Sequence, residues 1–245
     1  MQHNKHREAI LGVDLGQSQH PTALALLLNI EQTISRHSWC DANDPVTKHW
    51  LLAHAEIVPL GTSYTEVART ITTRLAALRR LHPIVPIRTA VDATGLGAPA
   101  IEMIQQELVR HQASTRQSLG RLEGILFTAG TAVTTSKHNT LPIDIFHVPK
   151  LTLLNSLATA IENNRLQVPA KLPLATTLTL QLKSLEIHQR EHASPTVRIN
   201  RDGDTEAIAH ADLVMALAMA TWRMSQLYPN GTRQSLAGPG PIPGM

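Results

Sequence analysis

The sequence predicts an α/β domain, and three observations predict it. Apolar runs of strand length, separated by turn residues, open the chain. From residue 64 onward, amphipathic helical periodicity alternates with short β-type runs. The core-forming residues are small and aliphatic: 42% of the 245 residues are hydrophobic but only 3% are aromatic, so Leu, Ala, Val and Ile must fill the interior.

The elements follow in order. Residues 1–8 are polar and are expected to form a flexible N-terminus. Ala9-Ile10-Leu11-Gly12-Val13-Asp14 reads as a short buried strand ending in an acid, and residues 15–21 carry turn chemistry. Thr22 to Asn29 is a second strand and Thr33 to Cys40 a third, a meander rather than a repeated βαβ pattern. After a polar stretch, His54 to Leu60 is a further strand. Tyr64 to Leu81 is a helix, because Val67, Ile71, Leu75 and Leu78 recur at helical spacing. Thr62 or Ser63 can cap it, and Pro83 and Pro86 bar its continuation. Ile87 to Asp92 is a strand that again ends in an acid. Thr94-Gly95-Leu96-Gly97 then turns the chain into a helix over Ala98 to His111, with Pro99 in its first turn.

Gly120 to Gly130 fits a strand, and residues 131–148 look loop-rich. Pro149 opens a helix to about Asn164, Arg165 to Val168 is a short strand, and Leu172 to His188 reads as a helix. Thr196 to Asn200 is a strand, and the last helix runs from Ile208 to Leu227. Residues 229–245 are rich in Gly and Pro and are expected to be a disordered tail, which leaves 9–228 as the folded domain.

Composition excludes several classes. The formal net charge is only +3 with 13 His neutral, which argues against a polybasic binder and leaves room for a local basic surface. Cys40 is the single cysteine, so neither an intramolecular disulfide nor a Cys-rich zinc site is available. No apolar run approaches the ~18–20 residues of a membrane span, and no signal peptide is evident, so a cytoplasmic protein is expected.

Three acids stand out by position. Asp14 and Asp92 each end a strand, and Asp212 lies near the start of the last helix. Their neighbours are apolar or small, where a carboxylate needs compensation. Each has a plain reading: an Asp after a strand is often a turn residue, and Asp212 in a first helical turn favours the helix dipole. Together they point to hard divalent cations such as Mg²⁺ or Mn²⁺, two of which can clamp a phosphodiester. His210, two residues before Asp212, is a candidate auxiliary group. Lys150 opposes the dipole at the start of its helix, a conflict that a DNA phosphate would relieve. Lys137 and His138 are candidate DNA contacts in a loop. Gly95-Leu96-Gly97-Ala98-Pro99-Ala100 fits a dinucleotide fingerprint, but no acid follows at the required spacing.

These segments resemble, in order, the motifs of a known family. Ile10-Leu11-Gly12-Val13-Asp14-Leu15-Gly16 with Pro21-Thr22-Ala23, Val91-Asp92-Ala93-Thr94-Gly95, Val148-Pro149-Lys150 and His210-Ala211-Asp212-Leu213-Val214 are similar to motifs of the nuclease domain of the tailed-bacteriophage terminase large subunit. The resemblance spans roughly residues 9–225. It implies an RNase H-like fold, a mixed central sheet flanked by helices, and a two-metal-ion endodeoxyribonuclease that cuts concatemeric viral DNA for packaging in the host cytoplasm. Asp14, Asp92 and Asp212 would be its catalytic metal ligands. Double-stranded DNA, a packaging ATPase on another chain, a small terminase subunit and the portal are the implied partners.

Two residues depart from the family pattern. Ala211 stands where a second acid often follows His, and Gln181 stands where an acid often precedes Leu. No G-x-x-x-x-G-K-[ST] loop exists, so the motor half is not expected here. A Holliday-junction-type resolvase of the same fold and a degenerate DNA- or packaging-complex-binding module remain as alternatives.

Overall fold

The computed structural model describes residues 2–16, 20–34, 46–95, 97–188, 196–199 and 211–229. Strand β1 (Gln2–Asp14) pairs antiparallel with β2 (Thr22–Ile34), which pairs antiparallel with β3 (Val46–Val58). β1 and β2 are the first two strands of the expected meander, and β3 overlaps the strand expected over His54 to Leu60; each is longer than hydropathy suggests. β1 starts at Gln2 rather than Ala9, because cross-strand partners hold its polar half: Arg7 pairs with Glu31 of β2, and Glu8 is fully buried. The segment expected as a third strand, Thr33 to Cys40, only ends β2; residues 35–40 lie outside the described residues.

Helix α1 (Tyr64–Leu81) follows, capped by Ser63, whose side chain accepts from Glu66 N. β4 (Ile87–Asp92), α2 (Gly97–Thr115) and β5 (Arg121–Thr128) come next. The stretch expected to be loop-rich holds β6 (Thr134–Lys137) and β7 (Asp144–Pro149). β6 is exposed throughout, so no apolar alternation marks it in the sequence. α3 (Lys150–Glu162), β8 (Leu166–Gln167) and α4 (Ala175–Lys183) follow. The expected helix over 172–188 is split: α4 ends at Lys183, and β9 (Leu185–His188) pairs with β10 (Thr196–Ile199) in a separate two-stranded sheet. α5 (Asp212–Leu227) closes the fold.

The main sheet has eight strands in the order β6-β7-β5-β4-β1-β2-β3-β8. β1, β4, β5 and β7 run parallel, and β2 runs against them. The sheet is therefore mixed, with helices on both faces. On one face Leu11, Val13 and Leu24 pack on α1 and α2 through Ile71, Leu75, Ile101 and Ile104. On the other, Ile10, Ala23, Ala25 and Ala90 pack on α3, α4 and α5. α5 is buried almost all round, with Leu213, Val214, Leu217, Met219 and Met224 all fully shielded. Burying each such large side chain contributes about 1.5–3 kcal/mol, so this helix is a major part of the core. Among the described residues no helix is long and apolar enough to cross a membrane. Of the expected tail, residues 230–245 lie outside the described residues.

Candidate active site

The candidate site lies at one end of the sheet, where two central strands stop and α5 begins. β1 and β4 are parallel neighbours with Val13 opposite Val91, so Asp14 and Asp92 follow side by side. Strand alternation turns both toward the face of Ile10 and Ala90, which is the face covered by α5. Gly12 sets the height of that helix. A Cβ on Gly12 would lie 1.9 Å from the Ala216 carbonyl oxygen, so the helix backbone rests on the strand with no side chain between them. Asp212 is one turn before Ala216, about 6 Å along the helix, and Asp14 is two residues past Gly12, about 6.6 Å along the strand. The two carboxylates therefore rise from the same contact point toward the same end of the sheet.

The Asp92 side chain is held locally. Its Oδ1 accepts from Thr94 N at 2.7 Å, and Thr94 Oγ1 in turn accepts from Phe127 N at 3.0 Å, tying the turn after β4 to β5. Gly95 takes φ +62° in that turn, the left-handed backbone that glycine adopts without strain. Asp92 thus has the turn role its position suggested and still faces Asp14.

Electrostatics mark the cluster. Burial pushes the Asp14 carboxyl well above the ordinary aspartate range, and Asp92 and Asp212 push it the same way, while Lys150 pulls it back. Burial also raises Asp92, opposed by the Thr94 hydrogen bonds and by Lys150. Lys150, the exposed first residue of α3 just past the end of β7, thus acts on two of the three acids. Its unfavourable position on the helix dipole is offset by these carboxylates. His20 joins from the β1–β2 turn, with Nδ1 3.7 Å from Asp212 Oδ1. It also lines a groove of about 220 Å³ with Thr22, Leu60 and Tyr64. Sequence reasoning missed His20, since nothing in His20-Pro21 distinguishes it from turn chemistry.

The donor set suits hard cations: three carboxylates, two of them with raised pKa, opposed by one lysine. Among the described residues no three His, Cys, Asp or Glu side chains form a group placed to hold a metal ion. Mg²⁺-type sites do not need one, because such ions keep several waters and take one or two carboxylates plus substrate phosphates.

The other expected contacts are placed elsewhere. Lys137 pairs with Asp144, which Arg121 also contacts at 3.1 Å. Asp144 begins β7, whereas Lys150 follows its end, about 17 Å away by strand rise. His138 sits beside Lys137, accepting from Thr140 N at 3.3 Å. Lys150 is therefore brought to the acids, and Lys137 and His138 are not. His210 lies outside the described residues.

No protein-family model and no curated protein sequence matches the chain, whereas solved structures do. The human cytomegalovirus terminase nuclease domain superposes with a TM-score of 0.52 at 17% identity, covering 92% of this chain and 88% of that one. Its Mn-soaked, inhibitor-bound form gives 0.51 at 14% identity, with the same coverage. The chain has the RNase H-like fold of a terminase nuclease domain. The mixed sheet flanked by helices, expected from the ordered motifs, is thereby borne out across nearly the whole chain.

Proposed function

We propose that this chain is a metal-dependent DNA endonuclease of the terminase type. The observation that carries the reading is the meeting of Asp14, Asp92 and Asp212 at one end of the sheet, with burial and mutual proximity raising the Asp14 carboxyl. Asp14, Asp92 and Asp212 would hold the ions, and Asp14, on which the other two acids act, would be the ligand common to both. Mg²⁺ or Mn²⁺ bound there would supply an acidified water and charge stabilisation for the leaving oxygen. The Mn-soaked form of the cytomegalovirus domain supports a divalent metal of this kind.

The chain's own residues position the substrate. Lys150 offers its ammonium to a backbone phosphate beside the acids, and His20 lines the groove that opens next to Asp212. Contacts of this type read phosphates rather than bases, so sequence specificity is low and affinity falls steeply with salt. The substrate in this reading is concatemeric viral double-stranded DNA. A packaging ATPase, a small terminase subunit and the portal are the partners, in the cytoplasm of a bacterial host. Cleavage of supercoiled plasmid by the purified chain in EDTA, Mg²⁺ and Mn²⁺ tests the proposal. Nicking or linearisation that needs metal and disappears in Asp14→Asn is the expected result. A folded chain that binds DNA but cuts it under none of these conditions is a binding module instead.

A further inference from the structure

We propose that Gln181 is a positioning residue for Asp212, acting as the N-terminal cap that α5 lacks from its own sequence; its functional meaning rests on the nuclease reading above. α5 begins at Asp212, and its flanking residue is Ala211, which has no side-chain acceptor. The backbone of Ala211, at φ −102° and ψ 26°, is also not the extended conformation from which a capping side chain reaches back over the first turn. The first turn nevertheless sits deep in the protein: Ala211 is 7% exposed, and Leu213 and Val214 are fully buried. Its backbone N–H groups cannot rely on bulk water.

Gln181 meets that need from another helix. It lies near the end of α4 and is 3% exposed, an uncommon place for a glutamine, and its Oε1 accepts from Val214 N at 3.3 Å. Val214 N is the third helical N–H, the one an N-cap side chain ordinarily satisfies. The glutamine is itself held: Ser184, also buried, donates its hydroxyl to the Gln181 carbonyl at 2.8 Å and closes the end of α4. Gln181 thus supplies at the start of α5 the acceptor that Ala211 cannot. A neutral amide there supplies the acceptor without adding a fourth carboxylate to a cluster that already raises Asp14. Fixing Val214 fixes the turn that carries Asp212.

The test compares the full-length chain with Gln181→Met, which keeps the side chain's length and removes the acceptor, and with Gln181→Glu, which keeps the acceptor. Hydrogen exchange over residues 211–216 is read alongside Mn²⁺ affinity, and circular dichroism confirms that each variant is folded. Gln181→Met should exchange about five- to tenfold faster in that segment, the factor expected for a lost cap, with the rest of the sheet unchanged. Its Mn²⁺ affinity should fall at least several-fold, and Gln181→Glu should restore protection. Unchanged exchange in folded Gln181→Met overturns the capping role. Faster exchange with unchanged Mn²⁺ affinity overturns the positioning role. If the parent chain binds no Mn²⁺, the nuclease reading falls and exchange alone decides the cap. If Gln181→Met does not fold, loss of protection over 211–216 in Gln181→Glu, whose acceptor is intact, overturns the proposal, and retained protection supports it.

Discussion

Two groups of acids occupy the same face of the sheet and are built in opposite ways: Glu8 lies about 20 Å back along β1 from Asp14, and Glu123 stands level with Ala90, two residues before Asp92. Away from the strand ends, Glu8 and Glu123 are fully buried and fully answered. Arg88 donates to Glu8 at 3.0 Å and to Glu123 at 2.7 Å, Arg223 adds bonds of 2.6 and 3.0 Å to Glu123, and Tyr228 donates to Glu8 at 3.2 Å. At the strand ends, Asp14, Asp92 and Asp212 crowd together; among the described residues Lys150 opposes the charge on Asp14 and Asp92, and burial raises both of those acids. On one surface the protein neutralises Glu8 and Glu123 with guanidinium groups, whereas among the described residues no guanidinium opposes Asp14 or Asp92. The difference separates an arrangement that holds the fold together from one that, in the function proposed above, is kept available for cations.

The largest effect that sharpens this contrast is on stability. Glu123→Gln leaves Arg88 and Arg223 buried beside a neutral side chain. It should destabilise the fold by about 3–5 kcal/mol, measured as the shift in a urea unfolding curve. A cost below about 1 kcal/mol would erase the distinction between the two ends. Asp14→Asn should do the reverse: cleavage drops by at least roughly 10²-fold on a plasmid substrate, while the metal-free protein gains about 1 kcal/mol by losing a crowded charge.

The pH response sharpens the contrast further. Asp14 and Asp92 have folded-state pKa values above their unfolded ones, so the folded chain binds more protons in the window between them. In EDTA, stability contributed by this end should therefore fall as pH rises from about 4 through the raised values. Asp14→Asn should flatten that slope, and a slope unchanged in the variant would place the titration elsewhere. The smallest effect concerns DNA. Lys150→Ala should reduce the slope of log affinity against log salt by about one, whereas Lys137→Ala, whose lysine is paired with Asp144, should leave it unchanged.

The acid-rich end was legible in the sequence because its signals are local. An apolar run that stops at an acid, as at Val13-Asp14 and Val91-Asp92, can be read without knowing which strands touch. The answered end was not legible. Nothing in Glu8, Arg88, Glu123 and Arg223 shows that residues up to 215 positions apart share one buried network, because pairings at that separation come from topology alone. The same reason hid the polar half of β1 and the exposed β6, both held by their partners rather than by their own hydropathy. Lys137 and Lys150 looked alike as basic residues flanking β7, and only the strand's direction separates them.

α5 joins the two ends, and its contact with Gly12 leaves no slack. Each added residue rotates the remainder of a helix by about 100° and advances it about 1.5 Å. A single-residue insertion between Ala216 and Arg223 would therefore swing the guanidinium away from Glu123 or swing Asp212 away from Asp14, with no exposed face to absorb the turn. The helix works as a keyed shaft: its length in residues is a phase relationship, and point changes along it are survivable in a way that insertions and deletions are not.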